Sequence, residues 1–247
     1  SADTVRRYSA EIARFLLSHD VKMIVVACNT ASSCALDEIR RVFPGPVLGV
    51  VEPGVQTALA ATQSRRIGLI GTRSTVNSGA YQRLLLEADP SLHIVSQACP
   101  LFVSLVEEGW ENEAITEQIA RRYLRELVEA KLDVLILGCT HYPLMAEVIQ
   151  RVMGDGVRLV SSAEAAARQA VGVLRQLNLN AGEKRYKDLF YASDDIQSFK
   201  KLYQRIFGEE EGTFAEAPSD FFALVQEINK FKERLFTGSI QWFEPQV

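Results

Sequence analysis

Short apolar runs alternate with segments of helical periodicity over most of this 247-residue chain. Residues 23–27 form a continuous, β-branched apolar run, which is typical of a strand buried on both faces of a parallel sheet. Residues 2–18 instead carry apolar side chains at helical spacing. The same criteria predict further strands at 47–51, 67–70, 92–98, 134–137, 157–160 and 189–191. They predict further helices at 29–43, 75–87, 101–108, 113–130, 143–153, 163–177 and 195–207, and a short one that follows Glu52-Pro53-Gly54 and ends at Ala61.

Strands that alternate with helices indicate right-handed crossovers and mostly parallel sheets. The strand–helix units fall into two groups along the chain. We therefore predict an α/β fold with two similar lobes, in which helices flank the sheets and the active site lies in the cleft between the lobes. The first lobe is expected to comprise residues 1–54 and 164–247, and the second residues 55–163.

The C-terminal tail is harder to interpret. Residues 209–212 form a charged linker, after which residues 220–235 have a broad apolar face at helical spacing. Such a face must pack on this chain or on a second copy of it, so a homodimer is one arrangement that we consider.

Composition and charge exclude several classes of protein. The chain is 47% hydrophobic and 23% charged, which is ordinary for a globular protein. Its formal charge of −4 and its lack of a basic block argue against a nucleic-acid-binding protein. No apolar stretch approaches the roughly 20 residues of a membrane helix, and the N-terminus has no secretory pattern. With four cysteines and no CxxC pair, we expect a cytoplasmic protein with free thiols, no membrane contact and no thiol redox function.

Two of the cysteines occupy equivalent places in the pattern. Cys28 and Cys139 each follow an apolar strand and a small residue, precede a hydroxyl residue and then a helix. Ligands bind beyond the carboxyl ends of strands in open parallel sheets, and N–H groups at a helix start favour a thiolate. Either cysteine alone could be a compact core residue, as we expect for Cys34 and Cys99. Two such thiols on facing lobes indicate a pair of acid/base groups on opposite sides of one substrate carbon.

The sequence around both cysteines resembles glutamate racemase, of the aspartate/glutamate racemase superfamily. Further segments are similar to that family, and we judge the resemblance to span about residues 1–207. The segments that carry it are Val26-Ala27-Cys28-Asn29-Thr30-Ala31-Ser32, Glu52-Pro53-Gly54, Ile70-Gly71-Thr72-Arg73-Ser74-Thr75, Ala98-Cys99-Pro100-Leu101, Val106-Glu107 and Gly138-Cys139-Thr140-His141-Tyr142-Pro143-Leu144.

The resemblance implies a cofactor-independent, metal-free racemase that makes D-glutamate for bacterial cell-wall peptidoglycan. It implies that the Cys28 thiolate abstracts the α-proton of D-glutamate and the Cys139 thiolate that of L-glutamate. Glu107 and His141 would support Cys139. The substrate would be bound by Asn29, Thr30, Thr72, Thr75, Thr140 and His141, whose neutral donors suit its two carboxylates. Without the resemblance, Thr72 and Thr75 could form a turn and a helix cap, and Glu107 could be a solvated surface acid.

The chain also departs from the family. It contains neither the family's Asp-Ser-Gly strand end nor its Pro-Tyr-Gly loop, and the tail beyond Gly208 has no match. In the family that this chain resembles, the aspartate of the Asp-Ser-Gly motif is the partner of the cysteine that corresponds to Cys28, and the serine binds the substrate. We therefore expect either an incomplete sequence or a truncated, impaired relative. The alternatives are an aspartate or other amino-acid racemase of the superfamily, or a non-catalytic binding or regulatory relative. A pyridoxal-phosphate racemase would need a lysine that no motif holds.

Overall fold

The computed structural model describes residues 1–180, 188–208 and 212–217. They belong to two compact units, the first comprising Ser1–Asn178 and the second beginning at Leu179. Within these described ranges, no helix has both the length and the apolar character that a membrane span requires.

The first unit begins with a small parallel sheet covered by helices. Strand β1 pairs with β2 in a register that joins Ile24 to Val47. Helices α1 and α3 bury this sheet's apolar core, which includes Val5, Ile39 and Phe43. The elements, in chain order, are α1 (Ala2–Leu17), β1 (Ile24–Val26), α2 (Asn29–Cys34), α3 (Leu36–Val42) and β2 (Val47–Gly49).

Two expectations for this region were wrong. Val25, in the middle of β1, is 41% exposed, so the strand is not buried on both faces. The helix predicted over residues 29–43 is broken at Ala35, whose backbone (φ −128°, ψ 1°) leaves the helical region and separates α2 from α3.

A second parallel sheet follows in the same unit, with strand order β4-β3-β5-β6. Alternate side chains of its central strands bury on opposite faces. Leu69 and Ile136 pack in one apolar cluster, while Ile70 and Leu137 pack in the other. This is the burial that continuous apolar strands predict. The elements are α4 (Val51–Ala61), β3 (Arg66–Gly71), α5 (Arg73–Asn77), α6 (Ala80–Ala88), β4 (His93–Ala98), α7 (Leu101–Glu107), α8 (Ala114–Glu129), β5 (Val134–Gly138), a 3-10 helix (Tyr142–Met145), α9 (Ala146–Met153), β6 (Arg158–Ser161) and α10 (Ser162–Gln176).

Pro53 and Gly79 each change the helix boundaries that were predicted from the sequence. Pro53 lies inside the first turn of α4 rather than before the helix, because a proline needs no N–H partner there. The helix predicted at 75–87 is interrupted at Gly79, whose φ of +65° only glycine adopts readily. This break separates α5 from α6 and allows the two helices to follow different directions.

The second unit contains a β–α–β arrangement. Strands β7 (Asp188–Ala192) and β8 (Gly212–Glu216) pair in parallel, with α11 (Ile196–Phe207) between them in sequence. Phe190, Phe199, Tyr203 and Phe214 form an aromatic cluster. The predicted linker ends inside β8, which the sequence pattern did not indicate. The predicted helix at 220–235 lies outside the described residues, and the predicted division at residues 54/55 and 163/164 stays a prediction.

Candidate active site

Thr72 and Cys139 follow two neighbouring strands of the four-stranded sheet. Strands β3 and β5 end at Gly71 and Gly138, which are paired in register. A Cβ atom on Gly138 would lie 2.7 Å from the Ile70 carbonyl oxygen, so the strands can approach this closely only with glycine there. The close pairing brings the two residues that follow to the same carboxyl edge, where open parallel sheets bind ligands.

Cys28 stands at the corresponding edge of the small sheet. It follows β1 and is the N-cap of α2, where its Sγ atom accepts a hydrogen bond from the backbone N–H of Ala31 at 3.5 Å. The thiol is half-buried. Asn29 and Thr30, the first residues of α2, are each only 2% exposed. A thiol that accepts an N–H hydrogen bond is better suited to the thiolate form.

Three threonine hydroxyls connect the two sheets. The Oγ1 atom of Thr30 lies 2.9 Å from that of Thr72 and 3.1 Å from that of Thr75, and the last two are 3.1 Å apart. Thr72 also caps α5, because its Oγ1 accepts from the backbone N–H of Thr75 at 3.2 Å. Thr72 is therefore a helix cap, as one interpretation of the sequence had it, and its predicted role in substrate binding stays a prediction. Three adjacent hydroxyls can donate hydrogen bonds to an anion.

Cys139 belongs to a chain of buried polar groups. Its Sγ atom lies 3.9 Å from Nδ1 of His141, and Nε2 of that ring lies 3.5 Å from a carboxylate oxygen of Glu107. Cys139 is 1% exposed and His141 is 7% exposed. Thr140, between them in sequence, is exposed, and its hydroxyl lies 3.3 Å from His141 Nδ1. The imidazole thus lies between a thiol and a carboxylate, with one ring nitrogen facing each of them.

Sequence reasoning missed Tyr81, which lies between the two cysteine segments. Its hydroxyl donates to Oδ1 of Asn29 at 2.6 Å, and its side chain is fully buried on α6. Burial raises the pKa of Tyr81, and the neighbouring Cys139 raises it further. A tyrosine at an apolar helix position needs a partner for its hydroxyl, and that requirement is the signal that could have identified it.

The other two thiols are part of the core, as expected. Cys34 is half-buried, and its thiol donates to the Thr30 carbonyl at 3.1 Å. Cys99 follows β4 and is fully buried. Burial raises the pKa of both thiols. Neither therefore has the accessible, thiolate-favouring surroundings of a reactive cysteine.

Comparison with known proteins identifies the family of this chain. The Asp/Glu/hydantoin racemase family matches residues 1–170. This chain belongs to that family. The curated glutamate racemases of Geobacter metallireducens and Aquifex aeolicus are each 44% identical to this racemase. Those alignments cover 86% and 85% of this chain, and 79% of each relative. The protein is accordingly an amino-acid racemase, an isomerase, similar to glutamate racemases.

Solved racemase structures share the fold. A glutamate racemase isoform from Bacillus anthracis is 33% identical, with a TM-score of 0.84, and the match covers 89% of this chain and 82% of that one. The glutamate racemase of Francisella tularensis, in complex with D-glutamate, is 30% identical, with a TM-score of 0.83, and the match covers 90% and 83%. The predicted α/β class with parallel sheets flanked by helices is confirmed, and the two-lobe arrangement is consistent with these racemases.

The described site brings together most of the residues predicted from the sequence, in two groups. Thr30, Thr72 and Thr75 form one group by direct contact between hydroxyls. Cys139, Thr140, His141 and Glu107 form the other. Cys28 adjoins the first group through Asn29, whose Oδ1 atom accepts a hydrogen bond from Tyr81. The roles assigned to the individual residues stay predictions.

Proposed function

We propose that this racemase interconverts L- and D-glutamate without a cofactor, using Cys28 and Cys139 as its two acid/base groups. The observation that carries the proposal is the hydroxyl contact of Thr30, two residues after Cys28, with Thr72, which follows the strand next to that of Cys139. This contact supports one site shared by the two thiol-bearing segments. The reaction would take place in the cytoplasm, and its product, D-glutamate, would be used to build cell-wall peptidoglycan.

Binding relies on neutral donors. Glutamate carries two carboxylates and one ammonium group at neutral pH, so the site must supply several hydrogen-bond donors without adding a strong positive charge. The hydroxyls of Thr30, Thr72 and Thr75, the Asn29 amide and the Thr140 hydroxyl supply such donors. A similar racemase has been crystallised with D-glutamate, which supports the same ligand here.

The reaction moves one proton from the substrate to one enzyme sulfur and another proton from the second sulfur to the substrate. One thiolate accepts the α-proton, so an S–H bond forms while the electron pair of the C–H bond moves to Cα and into the adjacent carboxylate. The other thiol then donates its proton to the opposite face of Cα and becomes the thiolate. No net oxidation, reduction or charge change occurs. In this assignment Cys28 deprotonates D-glutamate and Cys139 deprotonates L-glutamate.

Different neighbouring groups stabilise the thiolate forms of Cys28 and Cys139. Cys28 accepts an N–H hydrogen bond from Ala31, which stabilises its thiolate. Cys139 is more deeply buried, and burial alone favours the neutral thiol. Its neighbour His141, with Glu107 on the far side of the ring, compensates for that burial. His141 touches the reacting thiol, whereas Glu107 acts through His141 as a positioning residue.

Early turnover in D₂O tests the proposal. Two separate thiols predict that the product enantiomer carries deuterium at Cα, while unreacted substrate keeps its protium. We would run the reaction separately from L- and D-glutamate and follow both enantiomers by chiral separation and mass spectrometry. Substantial return of the original proton to product would indicate a single shared base. Inactivity towards glutamate with turnover of aspartate would contradict the substrate, and inactivity towards both would indicate a non-catalytic relative.

A further inference from the structure

Among the described residues, the side-chain amide of Asn29 has a hydrogen-bond partner at its oxygen atom only. Its Oδ1 atom accepts the hydrogen bond from Tyr81 at 2.6 Å. Within the described ranges its Nδ2 group donates to no protein atom, and this nitrogen does not count among the fully buried atoms that lack a partner. Since the oxygen end of the amide is occupied by Tyr81 and the residue is almost fully buried, the NH₂ group is the end that remains available to a ligand acceptor. Asn29 lies between Cys28 and Thr30 in sequence, within the candidate site.

The tyrosine that holds Asn29 has a fixed role as donor. It is fully buried on α6, and burial raises its pKa, which favours the protonated phenol that donates. A phenol has one hydrogen to donate, and here it goes to Asn29 Oδ1. The amide group of an asparagine can turn over with little change in shape, and this hydrogen bond selects one of the two orientations.

Gly54 explains how the phenol fits. An added Cβ atom at Gly54 would lie 3.3 Å from the Tyr81 hydroxyl oxygen and 3.1 Å from the Cβ atom of Ser162. Both distances are tighter than ordinary van der Waals contact. The glycine of the Glu52-Pro53-Gly54 segment is thus a place where α4 leaves room for the Tyr81 hydroxyl, beside Ser162.

We infer that Tyr81, seated against Gly54, is a positioning residue that turns the NH₂ group of Asn29 into the site, so that Asn29 donates to a substrate carboxylate. This inference rests on the proposed function. The opposite orientation would present Oδ1, which could only accept a hydrogen bond from the substrate ammonium group. Fixing the amide therefore decides which end of the amino acid lies next to Cys28. Tyr81 acts on the substrate only through Asn29.

Two substitutions at Asn29 distinguish the orientations. In Asn29→Asp, one carboxylate oxygen still accepts from Tyr81 and the other replaces the NH₂ group. If that group faces a substrate carboxylate, like charges oppose each other, and the KM for glutamate should rise at least about tenfold above that of Asn29→Ala. A KM for Asn29→Asp equal to or below that of Asn29→Ala would mean that the position faces the ammonium group, and would overturn the inference.

The second experiment tests whether Tyr81 acts through Asn29. Tyr81→Phe should lower kcat/KM by roughly 10- to 100-fold, mainly through KM, since one hydrogen bond that orients a donor to a charged group is lost. In the Asn29→Ala background, the same substitution should have no further effect on kcat/KM. The matched control is Tyr142→Phe, which removes another fully buried hydroxyl, one that donates to the Cys99 carbonyl at 2.9 Å. It should lower the melting temperature without changing KM.

The outcomes separate this inference from the proposed function. Wild-type racemisation of glutamate is measured first in the same assay, and its absence would contradict the proposed function itself. An active wild type in which the losses from Tyr81→Phe and Asn29→Ala simply add would contradict only the positioning role. Gly54→Ala supplies a variant with both polar groups intact, and it should reproduce part of the KM increase of Tyr81→Phe. An unchanged KM in Gly54→Ala would overturn the part of the inference that concerns the glycine.

Discussion

The hydroxyl oxygens of Thr30 and Thr72 lie 2.9 Å apart, although the two residues follow strands of different sheets. Thr30 is almost fully buried, so this contact is shielded from bulk water. A hydrogen bond in such surroundings is stronger and more demanding of geometry than one at the surface. In the proposed function, the contact therefore links substrate binding to the mutual arrangement of the two sheets.

Removing the Thr72 hydroxyl should weaken substrate binding. Thr72→Val keeps the shape of the side chain but loses one donor, and we expect KM to rise roughly 10- to 100-fold with a smaller change in kcat. Thr72→Ser should restore most of the affinity. Because Thr72 also caps α5, the valine variant should lose about 1 kcal/mol of unfolding free energy.

A second threonine separates binding from stability. Thr116 is fully buried, and its hydroxyl donates to the Trp110 carbonyl at 2.6 Å, so it has a structural partner and, among the described residues, no contact with the threonine hydroxyls. Thr116→Val should lower stability and leave KM unchanged. If Thr72→Val behaved in the same way as Thr116→Val, Thr72 would be a helix cap alone.

Each of the two proposed acid/base thiols should be indispensable. Cys28→Ala and Cys139→Ala should each reduce racemisation by at least about 100- to 10,000-fold, because one face of Cα then has no acid or base. Each variant should still exchange the α-proton of the one enantiomer that its remaining thiolate faces, which NMR in D₂O would detect. Cys34→Ala, which removes a core thiol, should change only the melting temperature. Near-full activity of Cys139→Ala would make the two-base assignment wrong.

Glu107 should affect the Cys139 side of the reaction. We expect Glu107→Gln to lower kcat/KM roughly 10- to 100-fold, since the hydrogen bond of a charged carboxylate to His141 is weakened. The factor must be the same in both directions, because the two enantiomers are equal in free energy. The asymmetry should appear in the primary isotope effect, which should increase more for L-[2-²H]glutamate than for D-[2-²H]glutamate.

The neighbouring Glu108 provides the control for this experiment. It lies just past the end of α7 and is exposed, whereas Glu107 is partly buried against His141. Glu108→Gln should leave both the rate and the isotope effects unchanged. Equal isotope effects for the two enantiomers in Glu107→Gln would show that Glu107 does not act through Cys139.

Asp133 should stabilise the four-stranded sheet in a pH-dependent way. Burial tends to raise the pKa of Asp133, but hydrogen bonds from the Ser64 and Gln63 N–H groups and the Thr62 hydroxyl outweigh it and hold the pKa below its usual value. A folded-state pKa below the unfolded value of about 3.9 means that the stabilisation is complete above that pH. It is lost as the pH falls through the folded-state pKa.

Urea denaturation at several pH values checks this expectation. Asp133→Asn should lower the unfolding free energy by about 1–3 kcal/mol near neutral pH, and the difference from wild type should shrink below about pH 4. Asp155, an exposed carboxylate in a turn, is the matched control, and Asp155→Asn should unfold like the wild type at each pH. A difference for Asp133→Asn that stayed constant down to the acid limit would contradict the role of its charge.

Local pattern determined most of the elements. The strands β3 and β5 are continuous apolar runs, and the structure buries both faces of each, since an inner parallel strand has helices on either side. The position of Cys139 after such a strand, before a helix, already indicated the edge of the sheet at which it lies. These features depend on neighbours in sequence, so they can be read without knowing the tertiary contacts.

Backbone breaks and burial at the first strand were decided by tertiary packing. Nothing local in residues 29–43 indicates that the helix stops at Ala35, and a glycine in a helical pattern does not reveal the positive φ that Gly79 adopts. Val25 belongs to a run as apolar as those of β3 and β5, yet it is exposed, because exposure depends on what packs over a strand rather than on its composition.

For the site, the sequence by itself indicated which side chains are candidates for the chemistry, and the tertiary structure decided how they are connected. The cysteines, threonines and histidine stand out because reactive groups follow strand ends. The Tyr81 hydroxyl could not be matched to Asn29 beforehand, because the two residues are 52 positions apart and only the packing of α6 against α2 brings them together. Gly54 shows the same limit: its requirement for space arises from the Tyr81 phenol and Ser162, neither of which is near it in sequence.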